Sequence, residues 1–205
     1  MKMVIDFGQD GTAHMKAIDL SGDTWRDYLH YLAEARQAET GSDERGKNRA
    51  LRGAIANLFA HLDAVVSNLH DRLGRHRDFV AYRPRSGRFC TLKDKIDAIQ
   101  SYTNRCLHVG LPALDLSLKP LRDILMHPSI NKQGTHSDTR EPVKLSEVDL
   151  FSLSVAEVER CGQQIDKWLS RVCKLHNDVR FHDTRNICRE YAAALGVMQD
   201  EPREI

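Results

Sequence analysis

Between residues 47 and 73, Leu51, Ile55, Leu58, Phe59, Leu62, Val65, Val66, Leu69 and Leu73 recur mainly at three- and four-residue spacings. That is the period of an α-helix with one apolar stripe. A helix that long, about seven turns, is not stable in water by itself, because its stripe must be covered by other elements. The chain is therefore expected to supply further helices, and the remaining pattern does so.

Ser21, Gly22, Asp23 and Thr24 are N-cap and turn types ahead of a helix expected over 25–37, and residues 40–43 break it. Thr91 caps a helix over 92–107 with Ile96, Ile99 and Tyr102 turned inward. Gly110, Leu111 and Pro112 turn the chain into a shorter helix bearing Leu114, Leu118, Leu121 and Leu125, in which Pro120 marks a restart or kink. Val158, Ile165, Trp168, Leu169 and Val172 define a helix over 155–175, and a sixth is expected over 184–195. The first residues differ: 3–7 are β-prone, 8–11 turn, and 12–18 can return as a second strand. The expected fold is all-α, a bundle of five to six helices with a small N-terminal β-hairpin. Residues 1–22 form that appendage, 23–196 the bundle, and 197–205 a frayed tail.

Several function classes are excluded at this stage. No run of apolar residues approaches the length of a membrane span, and residues 1–11 lack a secretory signal, so a cytoplasmic protein is expected. The five cysteines, Cys90, Cys106, Cys161, Cys173 and Cys188, are odd in number and form no CxxC pair. They read as reduced thiols rather than as disulfides or a zinc site. His176 and His182, with Asp178 and Asp183 nearby, fit no metal-ligand spacing, so neither metal nor cofactor is expected.

Net charge is only +1, yet residues 72–88 hold six arginines against the single acid Asp78. This stretch is either a phosphate-attracting patch or a solvated connection. As an RNA-steering surface its expected phosphate contacts are Arg83, Arg85 and Arg88, with Tyr82 and Phe89 available to stack on bases. Lys132 lies in a polar loop over 129–144 and is a lesser candidate for RNA contact.

The candidate chemistry lies in residues 121–128, LRDILMHP. An arginine followed five residues later by a histidine occurs twice, at Arg122/His127 and Arg171/His176. The second pair continues an amphipathic helix and reads as structural. In the first, Pro128 ends the helix at His127 and a polar loop follows. Asp123 and His127 are four residues apart, so they share a helical face and a hydrogen bond can orient the imidazole. Arg122 lies about 140° round the helix from His127, but its long side chain and forked head let both reach one phosphate. Imidazole and guanidinium together suit metal-free RNA cleavage, one moving protons and the other offsetting phosphorane charge. Two proton transfers call for two histidines, and a symmetric homodimer supplies the second.

The run L-x-x-L-R-D-I-L-M-H-P over 118–128, within a helical domain, resembles the HEPN superfamily. Residues 51–69 are similar to the helix that precedes the motif in many of its members. The resemblance implies a dimeric helical bundle with Arg122 and His127 catalytic and Asp123 the polar orienting residue. It further implies a metal-independent endoribonuclease that leaves a 2′,3′-cyclic phosphate. Such an enzyme acts as a toxin or phage-defence effector, often beside an antitoxin protein. Because the family also holds members that do not cleave RNA, a non-catalytic helical module binding RNA, nucleotide or a protein partner is the alternative.

Overall fold

Every member of the long apolar stripe is at most 5% exposed. The computed structural model describes residues 2–7, 13–18, 20–82, 90–112, 114, 116–126 and 153–177. Within them lie two short strands, β1 (Lys2–Phe7) and β2 (Ala13–Ile18), and five helices. The helices are α1 (Leu20–Thr40), α2 (Glu44–Leu73), α3 (Leu92–Leu107), α4 (Lys119–Met126) and α5 (Val155–Leu175), with a 3₁₀ segment over Arg77–Tyr82. The described chain is thus mostly helical. β1 and β2 run antiparallel, with Lys2 opposite Ile18 and Phe7 opposite Ala13.

Helix α2 is the hub. It packs against α1, α3, α4 and α5, which is why apolar side chains recur along its whole length. The inward residues expected on α5 (Val158, Ile165, Trp168, Leu169 and Val172) are buried, as are Ile96 and Ile99 of α3. Two helix starts are fixed by reciprocal caps. Thr91 Oγ1 accepts from the Asp94 amide at 3.2 Å while Asp94 accepts from the Thr91 amide at 2.9 Å. Ser154 and Glu157 repeat the arrangement at 3.2 and 2.8 Å.

Other boundaries differ from expectation. The first helix begins at Leu20, not at 25, so a division after residue 22 would cut α1. Gly22, Thr24 and Trp25 are buried there, so tertiary packing outweighs the capping preference of those residue types. The second helix begins at Glu44 rather than 47, with the Asp43 side chain accepting from the Gly46 amide at 2.9 Å. Pro120 sits in the first turn of α4, where its missing N–H costs no helical bond; the helix starts at Lys119, leaving Leu114 and Leu118 before it. The sixth helix expected over 184–195 and the tail lie outside the described residues.

Two glycines set how closely α1 approaches its neighbours. A Cβ on Gly53 of α2 would lie 2.8 Å from the Tyr31 ring, and one on Gly162 of α5 would lie 1.9 Å from the Tyr28 hydroxyl. Each tyrosine of α1 therefore rests on bare backbone of another helix. Arg36 of α1 adds an ion pair to Glu159 of α5 at 2.6 Å.

Candidate functional site

Helix α4 presents Arg122 and Asp123 one turn past its start. Leu121 buries this short helix against the core, at 6% exposed, while Lys119, Arg122 and Asp123 stay partly open. Asp123 is held by two cations of its own helix: Oδ2 accepts from Lys119 Nζ at 2.5 Å and Oδ1 from Arg122 Nη1 at 2.7 Å. Burial opposes ionisation of Asp123, but hydrogen bonds from Lys119 and Arg122, together with their charges, outweigh it and hold the carboxyl below its ordinary range. Sequence reasoning paired this carboxylate with His127, which lies outside the described residues; the bonds from Lys119 and Arg122 were not anticipated. Arg122 Nε and Nη2 have no partner among the described residues. Among the described residues the guanidinium is thus held by Asp123 alone, through Nη1.

His127 lies outside the described residues, and so do Arg83, Arg85, Arg88 and Lys132. Of the sequence-designated site, Arg122 and Asp123 are therefore the described part. The basic stretch is described over 72–82, and there it is not simply a solvated connection. Phe79 is fully buried within the 3₁₀ segment and anchors it.

A second cluster went unnoticed in the sequence. The rings of His70, Phe79, Tyr102 and His176 follow one another with centroids 5.2, 5.3 and 5.9 Å apart, linking α2, the 3₁₀ segment, α3 and the end of α5. Thr103 Oγ1 lies 2.7 Å from the Ile99 carbonyl and 2.8 Å from His176 Nε2. A hydroxyl has one proton, so both contacts are satisfied together when it donates to the carbonyl and His176 Nε2–H donates to it. Arg72 closes the cluster from α2, donating to the His176 carbonyl at 3.0 Å and to that of Asn177 at 3.5 Å. Asn177 has φ +52°, the left-handed residue that ends α5. Burial first, then the charges of Arg72 and His76, push His176 below its ordinary pKa, so its ring is kept neutral. The signal available in sequence was the His176 position just past an amphipathic helix, but its partners Thr103 and Arg72 lie 73 and 104 residues away in the chain.

Among the described residues no three histidine, cysteine, aspartate or glutamate side chains are grouped to hold a metal ion. None of the described helices is long and apolar enough to cross a membrane. Compared with known proteins, the chain matches no family model, no curated protein and no solved structure.

Proposed function

We propose that this chain is a metal-independent endoribonuclease of HEPN type, its site built from Arg122 and His127 of two copies. The observation that carries the proposal is the Arg122 guanidinium, oriented by Asp123 on one edge while Nε and Nη2 stay unbonded among the described residues. That is the disposition a phosphate-binding fork requires. In the reaction one His127 takes the proton of the ribose 2′-hydroxyl as O2′ bonds to phosphorus. The P–O5′ bond then breaks, and the protonated His127 of the second copy gives its proton to the leaving 5′-oxygen. Arg122 offsets the charge of the phosphorane between these events. The products are a 2′,3′-cyclic phosphate and a 5′-hydroxyl. The biological setting that goes with this reading is a toxin or phage-defence effector held in check by an antitoxin.

The test is incubation of the purified protein with mixed RNA in chelator. Wild type is expected to yield cyclic-phosphate ends, and Arg122→Ala and His127→Ala each to lower the rate at least a hundredfold (roughly 3 kcal/mol or more of transition-state stabilisation) with unchanged circular dichroism. Cleavage that persists in both variants would refute the assignment.

One observation favours a second reading, a non-catalytic module that binds RNA, nucleotide or a protein partner. Lys119 and Arg122 share Asp123, so the three side chains together carry a single net positive charge. Retained RNA binding with no cleavage by wild type would decide for that reading.

A further inference from the structure

The exposed face of α5 carries a line of cations that the helical pattern does not require. Arg160, Lys167, Arg171 and Lys174 are all exposed, separated by seven, four and three residues. At about 100° per residue they fall within about 60° of arc, and at about 1.5 Å rise they span about 21 Å. The exposed Gln163 and Gln164 flank them, and the one carboxylate between 160 and 174, Asp166, points about 100° away from Lys167. None of the four is within ion-pair distance of a carboxylate among the described residues, although Arg160 is near enough to Glu157 to lower its pKa. Elsewhere cations are commonly paired, as in Arg36–Glu159, Lys95–Asp63 and Lys119–Asp123. Past the helix end lies a segment of mixed charge. Arg72 bonds the last carbonyls of that turn, bringing up the exposed Arg75, His76 and Arg77 together with the acids Asp71 and Asp78.

We infer that the exposed stripe Arg160–Lys167–Arg171–Lys174 of α5 is a binding track for the phosphodiester backbone of single-stranded RNA. In a chain of net charge +1, a carboxylate-free row of cations concentrates positive potential along one line, matching a linear polyanion. An anionic membrane surface is a poorer match. Anchoring in the lipid interface draws on an apolar face, whereas Val158, Ile165, Leu169 and Val172 of α5 are fully buried in the bundle, which leaves only electrostatic adsorption. Glutamines beside the cations add hydrogen-bond donors for phosphate and sugar oxygens. The track does not depend on cleavage at Arg122: RNA bound but uncut sinks the nuclease proposal and leaves this one standing.

The experiment uses the full chain and a short fluorescent 2′-O-methyl RNA, which lacks the nucleophile and stays intact. Fluorescence anisotropy is followed as a function of salt for wild type, Lys167→Glu/Arg171→Glu, and the charge-matched Arg49→Glu/Arg52→Glu on the exposed face of α2. The α5 variant is expected to bind at least roughly tenfold more weakly and to lose about 1.4 from the slope of log K against log salt, about 0.7 per phosphate contact. The α2 variant should stay within about twofold of wild type, and both should keep the wild-type circular dichroism. Equal weakening in the two variants would show that net charge alone drives binding and would overturn the track. So would an unaffected α5 variant, absence of RNA binding by wild type, or binding to phosphatidylserine vesicles without binding to RNA.

Discussion

His176 couples this fold to pH. Its ring is half-buried against Tyr102, donates to Thr103, and faces Arg72 and His76. Its folded-state pKa is depressed, so the unfolded chain takes up the proton more readily. The contribution is fully present above the ordinary imidazole value of about 6.5 and is lost as pH falls from there through the lowered folded value. Urea midpoints measured from about pH 8 to about pH 5 should therefore fall more steeply for wild type than for His176→Gln. Parallel curves would show that this imidazole does not report on acidity. Asp123 acts in the same sense at lower pH: its depressed pKa stabilises the fold above the ordinary carboxylate range, and that stabilisation is lost on acidification below it. Its pairing with Arg122 escapes helical-face reasoning because neighbours in sequence do not share a face. Only the length of the arginine side chain, folding back along α4, brings them to 2.7 Å.

Elements meet here where a tyrosine lies on a glycine. Gly162→Ala would drive a methyl into the Tyr28 hydroxyl and Cζ, at 1.9 and 2.6 Å, and Tyr28 is only 2% exposed, so the ring has nowhere to go. We expect a loss of about 1–3 kcal/mol in chemical denaturation, as for other overpacked sites. Gly53→Ala should cost less because Tyr31 is only half-buried, and Gly110→Ala, which meets nothing within 4 Å, should stay within about 0.5 kcal/mol. A Gly162→Ala protein as stable as wild type would mean that α1 and α5 do not depend on this close approach. These contacts mark the boundary of what sequence can tell. The α2 and α5 stripes, the Thr91 cap and the span of α3 were legible because periodicity and capping are local properties of short windows. Gly162 was not, since a glycine inside a helix reads as a weakness unless one knows which ring covers it. Arg36–Glu159 and Arg72 with the α5 terminus join residues more than a hundred positions apart, and no local pattern announces such pairings. At the candidate site the helical placement of Arg122 and Asp123 was legible, but the tie between Asp123 and Lys119 was not, and the contact expected with His127 lies outside the described residues.

For the whole molecule, centrality of α2 implies an order of local stability. Its middle turns, buried against four other helices, should exchange amide hydrogens slowest, and those of the short, half-open α4 among the fastest. The composite-site proposal adds that α4 protection should rise with protein concentration, because a second copy would cover it. Protection of α4 that is independent of concentration would remove the shared site while leaving the bundle as it is. A last consequence follows from where the covering helix lies in the chain. The apolar faces of α1 and α2 are closed in part by α5, which ends at Leu175. A nascent chain growing on the ribosome therefore holds an incomplete bundle, with greasy surface uncovered, until Leu175 has emerged. Translation pauses before that point should make the newborn chain unusually dependent on chaperones.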